Sequence, residues 1–98
     1  MNNIVIRIDD ESKMIVDIYP VSDWDGFEKL AKYIENEFTA EIETKFDGPG
    51  SRLWRFRKDS YVFELIFDDG YGNYLREFSE GSSSLLKKIS ADLDSRFS

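Results

Sequence analysis

The sequence predicts an α+β two-layer sandwich, a mostly antiparallel sheet of about six strands with two helices on one face, in the order ββαββββα. Six segments read as strands, most of them with apolar side chains at every second position, the period of a half-buried strand. Two others carry one apolar stripe at spacings of three and four, the period of an amphipathic helix. A chain of 98 residues supports one hydrophobic core, so residues 1–98 are expected to form a single domain.

In residues 3–8, Ile4, Ile6 and Ile8 alternate with Val5 and Arg7. After the polar turn Asp9-Asp10-Glu11-Ser12, residues 13–19 alternate again around Met14, Val16 and Ile18, which gives a hairpin. Pro20 ends it by removing a ladder donor. Ser22 is the expected N-cap of the first helix, with Asp25 three residues on and Asp23 favoured by the helix dipole. Trp24, Phe27, Leu30, Ala31, Ile34 and Phe38 form that helix's stripe. Ala40, Ile42, Thr44 and Phe46 then alternate with Glu41, Glu43 and Lys45 as a third strand with a charged outer face.

Asp47-Gly48-Pro49-Gly50 is a turn in which Pro fixes φ and Gly permits φ > 0. Residues 52–57 and 61–67 are the fourth and fifth strands. With Lys58-Asp59 as a tight loop, Phe56 faces Tyr61 and Trp54 faces Phe63, while Arg55 and Arg57 point to the opposite face. Asp68-Asp69-Gly70-Tyr71-Gly72-Asn73 is a second turn, followed by a short sixth strand over residues 74–78 whose register stays open. Gly81-Ser82-Ser83-Ser84 caps a last helix with the stripe Leu86, Ile89, Leu93 and Phe97.

Composition narrows the chemistry. No Cys and no His occur, which removes disulfides, thiolate nucleophiles, imidazole catalysis and His- or Cys-based metal sites. The net charge is −7, and its placement is uneven: residues 1–49 carry five basic and twelve acidic side chains, residues 50–98 eight of each. If the first half shares one face, the protein has an acidic side. Such a balance disfavours nucleic acid and anionic membranes and favours a basic partner. The N-terminal residues have neither a basic nor an apolar leader segment, and no apolar run spans a bilayer, so a cytoplasmic location is expected.

Several constellations fall short of a catalytic or metal site. The Asp68–Asn73 turn puts Gly third, where a calcium loop needs it sixth, and Gly70-x-Gly72 lacks the rest of a dinucleotide fingerprint. Glu41 and Glu43 share a strand face but show no sign of the burial that raises a catalytic carboxyl's pKa. Arg55 and Arg57 lie on the face opposite Trp54 and Phe56, which breaks up a single-strand nucleic-acid platform. No enzyme activity, metal or cofactor is therefore expected. The residues expected to bind a partner are Asp9, Asp10, Glu11, Asp17, Asp23, Asp25, Glu41 and Glu43 by charge, with Tyr19 and Tyr71 as aromatic anchors. Tyr33 and Tyr74 are further candidates for the surface.

The segment Asp47-Gly48-Pro49-Gly50-Ser51-Arg52-Leu53-Trp54-Arg55-Phe56, the apolar strand after it and the Asp68–Asn73 turn resemble the small acidic immunity proteins of contact-dependent growth inhibition and related polymorphic toxin systems. That resemblance implies an inhibitor that binds a cognate toxin domain, a basic nuclease, and blocks its active site or substrate surface. It carries over no site residues, because toxin contacts differ from pair to pair. The alternative is a small acidic interaction or regulatory module with no toxin partner. The free protein is expected to be a monomer or a weak homodimer paired through an exposed sheet edge.

Overall fold

Eight elements occur in the expected order: β1 (Ile4–Ile8), β2 (Met14–Ile18), α1 (Trp24–Phe38), β3 (Glu41–Gly48), β4 (Ser51–Lys58), β5 (Tyr61–Asp68), β6 (Gly72–Glu77) and α2 (Ser83–Arg96). The computed structural model describes residues 3–97; Met1 and Asn2, which entered the leader reading, and Ser98 lie outside the described residues. All six strands join one antiparallel sheet in the order β1-β2-β6-β5-β4-β3. The step from β2 to β6 is the one long-range join, and it places the N-terminal hairpin beside the chain's last strand. Among the described residues no helix is long and apolar enough to cross a membrane.

Both helices lie on one face of the sheet. Phe27, Leu30, Ala31 and Ile34 of α1 and Leu85, Leu86, Ile89 and Leu93 of α2 share a core with Val16, Leu75, Leu65, Trp54, Phe56 and Phe63 of the strands. Phe27 is fully buried with its ring edge-on to Trp54 at 5.0 Å, and burial of such a side chain contributes about 2–3 kcal/mol. Phe56 and Phe63 stack as a cross-strand pair at 5.4 Å.

Four local expectations are corrected. Asp23, not Ser22, is the N-cap of α1, and its carboxylate accepts the Gly26 N–H at 2.8 Å. The β4–β5 turn is Asp59-Ser60, one residue later than expected, with Asp59 in the left-handed region at φ 55°. Phe56 therefore faces Phe63 and Trp54 faces Leu65, a shift of two residues that leaves every side chain on its expected face. The strict alternation of the third strand is broken by a bulge between Ile42 and Thr44. Ile42 packs against the core, whereas Phe46 pairs with Leu53 on the face that no helix covers. Finally, Ser82 holds the N-cap position of α2 without a side-chain cap bond.

Candidate partner-binding surface

The sheet face away from the helices is built from the alternate residues of each strand. Register places Asp17, Tyr74, Ile66, Leu53 and Phe46 in one row across β2, β6, β5, β4 and β3. Ile15, Arg76, Glu64, Arg55 and Thr44 form the next row. The first row is mainly apolar, and Phe46 at its end is 62% exposed, the highest value among the large hydrophobic side chains of the described residues. The second row alternates in sign. Arg55 grips the buried Glu64 at 2.9 Å and lies over the Phe78 ring at 3.9 Å.

Asp17 begins the apolar row and is itself buried, 1% exposed. Its carboxylate accepts from Arg7 Nε at 2.8 Å and from the Tyr71 hydroxyl at 2.8 Å, and Arg7 also donates to the Tyr71 oxygen. A buried carboxylate without such donors costs several kcal/mol, so Arg7 and Tyr71 are what allow Asp17 to sit there. Burial pushes the Tyr71 phenol up to about 12, and the hydrogen bond to Asp17 adds to this by favouring the protonated form. Tyr71 is still 46% exposed, so its ring remains available beside a shallow pocket lined by Arg7, Asp68, Gly70 and Tyr74.

One end of the sheet collects the loops that carry acids. Asn73 Nδ2 donates to the carbonyls of Val21 and Asp23, and the Asp69 N–H donates to the Gly50 carbonyl. A Cβ on Gly72 would meet Ser22, so the β6 start and the segment before α1 approach closely because that glycine has no side chain. Arg52, buried, holds this end together from inside. Its guanidinium binds Asp47 at 2.9 Å and faces the rings of Trp24, Phe27 and Trp54 at 4.5–5.0 Å. Bonding to Arg52 in turn lowers the Asp47 carboxyl below its ordinary range. At this end Asp25, Asp68 and Asp69 are exposed, as are Trp24, 40% exposed on the helix side, and Tyr71, beside Asp17 and Tyr74 on the other.

The ten residues singled out from the sequence separate into three places. Asp17, Asp23, Asp25, Tyr19 and Tyr71 come from the segments that meet at this acidic end, although Asp17 is buried and Asp23 caps α1. Asp9, Asp10 and Glu11 sit at the opposite end of the β1–β2 hairpin. There Asp9 accepts the N–H groups of Lys13 and Glu11 and pairs with Arg76, and these bonds, the Lys13 amide first, lower its carboxyl. Glu41 and Glu43 lie on β3, the far edge, where Glu43 pairs with Arg57. The first half of the chain supplies both sheet edges and α1, so its −7 is divided among these three places instead of forming one acidic face.

Tyr19 and Tyr71 are exposed, whereas Tyr33 and Tyr74 are half-buried, with the Tyr33 hydroxyl donating to Asp92. The sequence reading missed Phe46, Leu53 and Ile66. Only the β3 bulge reveals Phe46, and no single-strand pattern announces a bulge. Among the described residues no group of three or more Asp or Glu is placed to hold a metal ion. No protein-family model, no curated protein and no solved structure matches this chain.

Proposed function

We propose that this chain is a cytoplasmic immunity protein that binds one cognate bacterial toxin domain, a basic nuclease, and neutralises it by covering its active site or substrate surface. It performs no chemistry of its own. The observation that carries this reading is the apolar row Tyr74–Ile66–Leu53–Phe46 on the uncovered sheet face, ending in the exposed Phe46. A partly exposed apolar strip that ends in an open aromatic ring suits a protein-binding surface, in which a few aromatic anchors supply most of the affinity. Phe46 and Tyr71 are those anchors.

Charge supports the same reading. All six arginines pair with carboxylates of this chain, so they add no free positive charge. Asp25, Asp68 and Asp69 then face outward, complementary to a cleft that holds phosphates with Lys and Arg. The likeness of the Asp47–Phe56 segment to immunity proteins adds the biological setting.

The test is co-expression with the C-terminal toxin domain encoded immediately upstream. A one-to-one complex and restored growth are expected, and Phe46→Ser is expected to lose rescue while keeping the wild-type melting temperature. Absence of a complex, or full rescue by Phe46→Ser together with Tyr71→Ala, overturns this assignment of function and surface.

A further inference from the structure

The two edges of the sheet are built differently. The β3 edge is bulged beside Glu43 and carries Glu41, Glu43 and Lys45, features that discourage strand addition. The β1 edge has no bulge. The Tyr19 N–H donates to the Asn3 carbonyl and the Asp9 N–H to the Lys13 carbonyl, so residues 3, 5, 7 and 9 turn their amide groups toward β2. By alternation, Ile4, Ile6 and Ile8 turn theirs outward. The side chains of Ile6 and Ile8, on the helix side of the sheet, are 45% and 60% exposed.

Beside this edge lies α2, whose C-terminal end meets the start of β1, where the Asn3 side-chain amide donates to the Phe97 carbonyl. Lys87, Ser90, Ala91 and Asp94 line a groove with Ile4 and Ile6. These four residues share one helix face at spacings of three and four. Small residues stand at its centre and opposite charges at its ends, and neither Lys87 nor Asp94 is ion-paired among the described residues.

We propose that the β1 edge pairs with the β1 edge of a second copy of this chain, antiparallel and with Ile6 on the two-fold axis. Ile6 then lies opposite Ile6, and Ile4 of each copy opposite Ile8 of the other, with the outward amide groups completing the ladder. The same axis passes between Ser90 and Ala91, the midpoint of Lys87 and Asp94. Each copy's Lys87 therefore faces the other's Asp94. The spans agree, because Ile4 to Ile8 covers about 13 Å of strand and Lys87 to Asp94 roughly 10 Å of helix. This self-complementary charge pattern is what selects a second copy over a foreign strand, since an isologous contact must satisfy each patch with itself. The dimer leaves the uncovered sheet face free, so it is independent of the toxin-binding surface.

Sedimentation of the full chain from micromolar to submillimolar concentration tests this. A reversible monomer–dimer equilibrium is expected. Ile6→Lys is expected to weaken it at least about tenfold, the cost of placing two charges against each other on the axis. Asp94→Lys weakens it roughly threefold, and Lys87→Asp combined with Asp94→Lys restores it, because the swapped pair is again complementary. A chain that stays monomeric overturns the proposal, as does a dimer indifferent to Ile6→Lys. A charge swap without rescue overturns the two-fold register. Loss of the toxin-domain complex in Ile6→Lys, with the wild-type chain monomeric, assigns the edge to a foreign strand instead. Phe46→Ser reports the other surface, so failure of the dimer and failure of the immunity reading are told apart.

Discussion

Asp17, Arg7 and Tyr71 show how one buried charge fixes the properties of its neighbours. The Tyr71 phenol stands above its ordinary 10.0 because burial and the Asp17 carboxylate both resist a second negative charge. A folded-state pKa above the unfolded one means that the interaction contributes its full stability below about pH 10 and is lost as pH rises through about 12. In a titration followed by phenolate absorbance, Tyr71 is expected to ionise near pH 12 in the native protein. Replacing Asp17 with Asn removes the opposing charge and leaves Arg7 to favour the phenolate, so the Tyr71 pKa falls toward 10. The same substitution costs about 1–3 kcal/mol in urea denaturation, the range for a buried group stripped of its charged hydrogen bonds. An Asp17→Asn protein whose Tyr71 still ionises near pH 12 removes Asp17 from the cause.

At the scale of elements, the start of α1 is shaped by what precedes it. Glycine inside a helix is ordinarily less stable than alanine by roughly 0.5–1 kcal/mol. Gly26 is different, because a Cβ there would fall on Val21 Cγ1 and crowd the Asp23 carboxylate that caps the helix. Gly26→Ala is therefore expected to lower stability by about 1–2 kcal/mol, the scale of a lost cap plus overpacking, as read from the chemical denaturation midpoint. A gain in stability shows that Val21 can move aside. The helix itself was plain from its stripe, because Phe27, Leu30 and Ile34 obey a local period. So were the eight elements, their order and the faces of β4. The bulge at Glu43 and the Asp59-Ser60 turn were not, because each is set by register against the neighbouring strand, nor was the β2–β6 pairing, which joins segments distant in the chain. Tyr19 and Tyr71 could be proposed for the surface from their acidic neighbours. Phe46 could not, since its alternation reads as core until the bulge turns it over.

The whole molecule carries a net charge of −7 with every arginine held by its own acids, so its outer field is set by unpaired carboxylates. That field acts before contact and the apolar row acts after it, which gives the two a separable kinetic signature. Reversing Asp25 and Asp69 to Lys changes exposed acids without touching a core side chain. Association with the proposed toxin partner at low salt is expected to slow roughly tenfold and to lose much of its salt dependence, with dissociation nearly unchanged. Phe46→Ala does the reverse: association holds, while dissociation speeds up by about 10- to 100-fold, as for loss of a central aromatic anchor. Stopped-flow kinetics at two ionic strengths resolve both rates. If the charge reversal acts on dissociation alone, the acids are direct contacts and steering is not their role. If Phe46→Ala leaves dissociation unchanged, the uncovered sheet face is not the proposed binding surface, because no partner can cover that row without burying its most exposed ring.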